Sequence, residues 1–149
     1  MKFRMFKGAG IQFFKESTEG LFISLGKRTG NLDRGYWSIP GGEMDKRDNK
    51  DFFQCALRET HEEYFHNLNH EFQKISKIPV LKTCRIYIPF LFEYYTYLMD
   101  LSEVQIQFSP NGELDPIEWF ELNKLPPKTH FGVFYSSWFF GLWDRSFRK

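Results

Sequence analysis

The sequence predicts an α/β fold in which helices flank a mixed β-sheet, and three observations lead to this class. The chain has 149 residues, a length typical of one domain. Short runs rich in β-branched and aromatic residues alternate with longer segments of good helix formers. Polar and glycine-containing turns separate these segments, and no repeat or low-complexity block interrupts them. We therefore expect residues 1–149 to form a single domain with helices packed on the sheet.

The clearest strand signals lie in the N-terminal part of the chain. GAGIQFF (8–14) and GLFISLG (20–26) are separated by a polar turn, which predicts a hairpin or neighbouring strands. A polar loop, KRTGNLDRG (27–35), follows them. YWSIPGG (36–42) then reads as a short strand that a Pro-Gly-Gly turn ends.

Two helices and further strands are predicted in the rest of the chain. Good helix formers occupy residues 52–66, and KIPVLKTCRIYIPFLFEYYTYLM (77–99) and DPIEWFEL (115–122) supply more strand. A last helix is expected over residues 130–147. Its apolar residues recur at spacings of three and four, which is typical of a core-facing stripe. The stripe consists of Phe131, Phe134, Tyr135, Trp138, Phe139, Leu142 and Trp143.

Composition and charge argue against several classes of partner. Lys and Arg total 20 against 19 Asp and Glu, so the formal net charge of +1 gives no field that would attract long nucleic acid or a membrane surface. No run is long enough to span a bilayer, and the N-terminal segment does not fit a signal peptide. Cys55 and Cys84 lack metal-ligand spacing and are too few for a disulfide framework. We expect a cytoplasmic protein with both cysteines buried, and the sequence makes no prediction of oligomeric state.

Three glutamates are concentrated on one face of the helix at residues 52–66. At about 100° per residue, Glu59, Glu62 and Glu63 fall within a face about 100° wide, beside an apolar stripe that can anchor the helix. Like charges at these spacings cost a helix about 0.2–0.5 kcal/mol per pair, so stability gives no reason for them. A hard divalent cation such as Mg²⁺, which prefers oxygen ligands, would compensate the charge. The alternative is a solvated face on which Arg58 pairs with Glu62.

The segment PGGEMDKRDNKDFFQCALRETHEEYF (40–65) resembles the Nudix box, G-x5-E-x7-R-E-U-x-E-E-x-G-U, where U is a bulky aliphatic residue. Residues 58–63 match the R-E-U-x-E-E core in order and spacing, with Thr60 at U. The similarity extends upstream to GAGIQFF and downstream to GELDPIEWFELNKLPP. The resemblance implies a Nudix-type α/β/α sandwich. It also implies hydrolysis of a phosphoanhydride that links a nucleoside diphosphate to another group, with Mg²⁺ or Mn²⁺ as cofactor.

Two departures from the Nudix pattern lie in this segment. The stretch between its glycine and its arginine is two residues longer than the pattern, and Lys50 stands where the pattern has Glu. Either Asp48 or Asp51 replaces that residue. Phe65 stands where the pattern has Gly, so we expect the helix to run on and end near Asn67, a residue type that tolerates the left-handed conformation.

The resemblance also assigns roles to individual residues. The backbone carbonyl of Gly41 and the carboxylates of the three helix glutamates are the implied metal ligands, and Gly42 is expected to support the site structurally. Arg58 is expected to point away from the acidic face and to fix the loop and Glu62. The general base is one of the helix glutamates or Glu113, with Asp115 as the rival. The expected catalytic set is Glu59, Glu62, Glu63 and Glu113.

The substrate is expected to be a small nucleotide, and three residues are candidates for binding it. Arg28 and Arg34 lie in or beside the polar loop and are candidates for phosphate contacts, although such side chains are usually solvated. Tyr36 is a candidate for stacking on a base, although an aromatic residue that enters a strand is more often core. The alternative to a hydrolase is a Nudix-like module that binds a nucleotide without cleaving it.

Overall fold

The longest strand, β1 (Phe6–Ser17), explains why the sheet carries a helical layer on each face. In the computed structural model, which describes residues 4–147, this strand lies inside the sheet and its side chains alternate between the two faces. Ile11 and Phe13 belong to one core cluster, and Phe14 belongs to a second. A strand that is buried on both faces needs a covering layer on each side. The predicted mixed α/β sandwich is thus confirmed.

The sheet of the described residues has seven strands and mixed topology. The order is β3-β2-β1-β6-β5, with β4 paired to β1 and β7 paired to β2. Only the β1–β6 pair is parallel, and the antiparallel β1–β2 pair confirms the predicted hairpin. The remaining bounds are Gly20–Arg28 for β2, Trp37–Ser38 for β3, Gly41–Glu43 for β4, Lys82–Ile88 for β5, Phe92–Asp100 for β6 and Leu114–Glu121 for β7.

One face of the sheet is covered by α1 (Phe52–Tyr64) and α2 (Asn69–Ser76). The sequence patterns did not predict α2, and α1 ends earlier than predicted. Phe65 already leaves the helical conformation, because its ring is fully buried against Phe72 and Phe108 at centroid distances of 6.0 and 5.6 Å. The turn does place Asn67 in the left-handed region, at φ 61°.

The other face is covered by two short helices, α3 (Phe131–Phe139) and α4 (Leu142–Phe147). The prediction of one continuous helix is wrong, and the predicted core-facing stripe is wrong for the aromatic residues of α3 but correct for Leu142 and Trp143 of α4. Gly141, at φ 73°, separates the two helices. The face of α3 that is turned inward contains Val133, Ser136 and Ser137, so its large aromatic residues lie on the opposite side. The exposed aromatic residues are Phe131, Phe134, Tyr135, Trp138 and Phe139.

Both cysteines are buried and free, as predicted. Within residues 4–147, every helix is too short or too polar to cross a membrane.

A buried polar cluster joins α3 to β1. The Gln12 amide donates to the Ser137 hydroxyl at 2.7 Å, and the Ser136 hydroxyl donates to the Gln12 carbonyl oxygen at 2.5 Å. All three residues are at most 2% exposed. Buried polar groups are costly unless they are hydrogen-bonded, so these contacts determine which face of α3 packs on the sheet.

The loop before α1 is built around Asp48. Asp45 and Asp48 cap the short 3₁₀ helix Lys46–Asp48 reciprocally, each side chain accepting a bond from a backbone N–H of the other end. The Asp48 side chain is 1% exposed and accepts bonds from Arg58 at 2.8 and 3.0 Å. Asp51 instead caps α1, accepting from the N–H groups of Phe53 and Gln54. Of the two aspartates that the sequence left open, Asp48 therefore faces the arginine.

We expect Gln12→Met to destabilise the protein by about 1–3 kcal/mol, because the two serine hydroxyls lose their buried partner while the side-chain volume is nearly kept. Urea unfolding measures the change. Replacing both serines by alanine in the Gln12→Met background removes the unpaired hydroxyls and should recover part of the loss. A triple variant no more stable than Gln12→Met would contradict this account.

We expect Asp48→Asn to cost about 1.5–3 kcal/mol of unfolding free energy at pH 7, because Arg58 loses its charged, buried partner. The Arg58 hydrogen bonds lower the pKa of Asp48 below its ordinary value of 3.8, so its contribution is present above that pH and is lost as pH falls through the lowered value. Urea unfolding from pH 7 down to pH 3 should show the two proteins converging. Asp51→Asn is the matched control, since asparagine caps a helix as well as aspartate does.

Candidate active site

The acidic face of α1 is graded from buried to exposed. Glu63 is 6% exposed, and its Oε1 accepts a 2.8 Å hydrogen bond from the Gly41 N–H in β4. Glu59 is mostly buried, whereas the Glu62 side chain is 40% exposed. Packing of the apolar side of α1 on the sheet thus turns Glu59 and Glu63 toward the Pro-Gly-Gly bend and leaves Glu62 at the rim.

Arg58 connects this face to the preceding loop. Its guanidinium donates to the Glu43 carbonyl at 3.0 Å and to Asp48, and it contacts Glu62 at 3.3 Å. The contacts to the loop and to Glu62 are those that the resemblance implied. The expectation that Arg58 points away from the acidic face is wrong, because it also contacts Glu59 at 3.0 Å. The loop holds the guanidinium of Arg58 beside Glu59 and Glu62, so the side chain contacts both of these residues on its own helix.

Close approach of the backbone requires glycine at the bend. A Cβ at Gly42 would lie 2.6–2.9 Å from the carboxylate atoms of Glu59. A Cβ at Gly41 would overlap the Tyr94 hydroxyl and lie 2.8 Å from the Ala9 carbonyl oxygen. A side chain at Gly41 would meet neighbouring backbone, and one at Gly42 would displace the Glu59 carboxylate, so glycine lets the backbone of β4 approach the acids closely.

Burial dominates the electrostatics of these acids. It raises the pKa of Glu63 to about 8, against the hydrogen bond from Gly41, and the charges of Glu59 and Glu113 raise it further. Burial also raises the pKa of Glu59, although Arg58 acts in the opposite direction. The site thus holds carboxylates whose negative charge the surrounding residues do not fully compensate.

The structure brings Glu113 and Arg28 to the same site. The end of β2 lies against the start of β7, where Arg28 pairs with Leu114 and the Thr29 N–H donates to the Glu113 carbonyl at 3.2 Å. The Glu113 charge raises the pKa of Glu63, and the Arg28 charge lowers it. Both side chains are therefore within electrostatic range of Glu63, although both residues lie far from α1 in sequence.

The other predicted substrate residues lie in the loop that follows β2. Arg34 is exposed and forms no ion pair with any residue in the described range 4–147. Tyr36 is 40% exposed, and its carbonyl accepts a 2.8 Å bond from the Arg28 N–H. The structure thus places Tyr36 beside the backbone of Arg28 and leaves Arg34 exposed in the loop.

Two residues near the site were missed by the sequence analysis. The Tyr94 hydroxyl lies against Gly41, and burial raises the pKa of this tyrosine. His130 caps α3, and its backbone N–H donates to the Trp37 carbonyl at 2.8 Å. Burial lowers the pKa of His130. No sequence signal points to either residue, because Tyr94 is one of several tyrosines in β6 and His130 stands in no motif.

A depression of about 650 Å³ lies beside the β4–α1 loop and does not include the α1 glutamates. It is a separate feature of the surface. Its lining residues are Arg4, Met5, Lys7, Glu43, Met44, Asp45, Lys46, Asn49 and Lys50.

Comparisons with known proteins agree with this geometry. The family model for the NUDIX domain matches residues 6–136. The fold is similar to that of the Nudix hydrolase RenU from M. smegmatis, with TM-score 0.67, 21% identity and coverage of 89% of this chain and 81% of that chain. It is also similar to a C. elegans Ap4A hydrolase in a binary complex, with TM-score 0.59, 18% identity and coverage of 80% and 82%.

The NUDIX domain of Shewanella oneidensis NrtR, complexed with ADP ribose, has TM-score 0.57 and 19% identity, with coverage of 83% of this chain and 76% of that chain. No curated protein matches the chain by sequence. The family match covers most of the chain and includes the R-E-T-H-E-E core on α1. The chain therefore belongs to the NUDIX domain family, the Nudix hydrolases, which act on acid anhydrides.

Proposed function

We propose that the protein hydrolyses a phosphoanhydride bond in a small nucleotide, a nucleoside diphosphate linked to another group, and that it needs Mg²⁺ or Mn²⁺ to do so. One observation carries the proposal. The buried carboxylate of Glu63 lies at a bend where the backbone approaches the acids without intervening side chains, beside Glu59 and within electrostatic range of Glu113. An array of carboxylates whose charge the protein compensates only in part suits a site shared between divalent cations and phosphate oxygens.

The donor chemistry of the site fits a hard divalent cation. Glu59, Glu62, Glu63 and the Gly41 carbonyl offer only oxygen atoms, which Mg²⁺ and Mn²⁺ prefer. Desolvation raises the pKa of Glu59 and Glu63, and a bound cation would favour their ionised forms. Within residues 4–147 no three acidic, histidine or cysteine side chains are already gathered around one point. When bound, the cation would neutralise phosphate charge and make a water molecule more acidic.

Residues of the chain would position the glutamates and accept the proton of the attacking water. Arg58 holds Glu59 and Glu62 in position through charge-assisted hydrogen bonds, and the Gly41 N–H orients Glu63. A carboxylate among Glu59, Glu62, Glu63 and Glu113 would accept the proton of the attacking water. At neutral pH in the absence of a cation, Glu63 is largely protonated, because its pKa is about 8.

The substrate class follows from the surroundings of the acids. Arg28 supplies a positive charge within electrostatic range of Glu63, its backbone N–H is bonded to the Tyr36 carbonyl, and we assign it to phosphate binding. Arg34 lies farther along the same loop and is a weaker candidate. The similar structures include an Ap4A hydrolase and a NUDIX domain with ADP ribose, so dinucleoside polyphosphates and ADP-ribose belong in a substrate panel together with nucleoside triphosphates.

One observation favours a second candidate, a module that binds a nucleotide without cleaving it. Arg58 contacts both Glu59 and Glu62 and partly compensates their charge, which reduces the charge available to a cation. Incubation of the nucleotide panel with Mg²⁺ or Mn²⁺, with identification of the products, separates the two candidates. Binding without cleavage of any panel member would favour the module.

We expect Glu63→Gln to lower kcat by at least about 10²-fold, since the amide cannot hold a cation or accept a proton as the carboxylate does. The amide oxygen still accepts the bond from Gly41, so circular dichroism and the melting temperature should remain close to wild type. Glu103→Gln is the control, because Glu103 is an exposed glutamate far from α1 in sequence. Wild-type turnover in Glu63→Gln would remove this residue from the mechanism.

We expect Mg²⁺ to raise the melting temperature of the protein, because a ligand that binds only the folded state stabilises it, by about 2.7 kcal/mol at a hundredfold excess over Kd. Differential scanning fluorimetry with and without millimolar MgCl₂ measures the shift in melting temperature. Glu59→Gln should reduce the shift, and Glu103→Gln should not. An equal shift in wild type and Glu59→Gln would place the cation elsewhere.

A further inference from the structure

Phe131, the first residue of α3, is a large apolar side chain in contact with solvent. It is 74% exposed, although Phe140 and Leu142 from the same C-terminal segment are buried. One face of its ring is stacked on His130, with ring centroids 5.2 Å apart and an interplanar angle of 28°. The other face is therefore available to a planar partner, and His130 limits the directions in which the ring can turn.

A continuous set of backbone hydrogen bonds connects Phe131 to the acidic site. The Thr29 N–H donates to the Glu113 carbonyl, and the adjacent Arg28 N–H donates to the Tyr36 carbonyl. Trp37 follows Tyr36, and its carbonyl accepts from the His130 N–H at 2.8 Å. The start of α3 thus lies beside the loop that carries Arg28 and Tyr36, at the end of the site that is remote from α1.

A cation and two exposed aromatic rings lie along this path beyond Glu113. Arg28 lies at the end of β2, where it pairs with Leu114 next to Glu113, and its N–H donates to the Tyr36 carbonyl. Beyond Arg28 come the half-exposed ring of Tyr36 and the exposed ring of Phe131. A cation next to aromatic surface suits a ligand that joins phosphate to a planar base.

We propose that Phe131 is a substrate-binding residue that stacks on the base of the nucleotide, with Tyr36 at the same end of the site and Arg28 on the adjoining phosphate. The inference rests on the proposed function, which locates the reacting phosphates at α1. It assigns a role to a residue that the aromatic stripe had placed in the core. Stacking recognises any base by its π face, so Phe131 supplies affinity for the base rather than discrimination among bases.

The test compares nucleotides with a ligand that has no base. Calorimetric titration of the full chain with AMP, GMP, CMP, UMP and ribose 5-phosphate, in the presence of Mg²⁺, gives the contribution of the base to affinity. We expect Phe131→Ala to weaken binding of the best nucleoside monophosphate about tenfold and to leave ribose 5-phosphate unchanged. Phe131→Trp should retain the wild-type preference, since it keeps an aromatic face.

Trp138→Ala is the matched control. Trp138 is 69% exposed on the same helix, about 10 Å farther along its axis, so its loss removes a similar exposed ring away from the site. The proposal is overturned if Phe131→Ala binds the nucleotides as wild type does, or if wild type binds none of the four more tightly than ribose 5-phosphate.

Binding and turnover distinguish this inference from the proposed function. Base-dependent binding that is lost in Phe131→Ala, in a protein that cleaves no member of the nucleotide panel, would support the base site and defeat the hydrolase. Metal-dependent cleavage with an unchanged KM in Phe131→Ala would defeat the base site and leave the hydrolase standing.

Discussion

The guanidinium of Arg58 is the group on which the geometry of the site depends. Its side chain is 14% exposed, and it donates to Asp48 in the 3₁₀ turn, to the Glu43 carbonyl at the end of β4 and to the carboxylate of Glu59 on α1. A largely buried cation must keep its partners, because an unpaired charge in that position costs several kcal/mol. Moving the loop or the helix by a few ångströms would break several of these bonds at once. The loop of this chain, two residues longer than the Nudix pattern, is therefore still held in register with the helix.

The same packing leaves negative charge at the site that the protein's own groups compensate only in part. Arg58 compensates the acids from the side of the loop, but Glu63 lies deeper, with one hydrogen bond from the Gly41 N–H and a pKa raised to about 8. Gly41 and Gly42 bring no side chain to the bend, so neither residue supplies a charge that neutralises Glu63. A site of this kind is stabilised when a cation binds. The most buried carboxylate is thus also the one whose charge state responds most to an added ion.

The inner and outer faces of α3 have different roles. Its small inward residues, Ser136 and Ser137, meet Gln12 of the central strand and hold the helix close to the sheet. Close packing of small residues leaves the bulky rings on the outer face. Because His130 is bonded to Trp37, the first of those rings lies beside the loop that continues from β2. One helix thus covers the second core and carries aromatic surface to the edge of the site.

The sequence by itself determined the α/β class, the hairpin of the first two strands, the acidic helix and its place in the NUDIX domain family, because periodicity and motif spacing are local properties. It left open whether Asp48 or Asp51 faces Arg58, and only the fold of the loop decided in favour of Asp48. It placed the end of α1 too late and the aromatic residues of α3 in the core. Both errors have one physical cause, since the end of a helix and the face that it buries depend on what packs against it. Phe65 is drawn into the core by Phe72 and Phe108, and α3 is turned by the buried Gln12. The approach of Glu113 and Arg28 to the acids, and of His130 to Trp37, likewise arises from pairing between segments far apart in the chain, which no local pattern encodes.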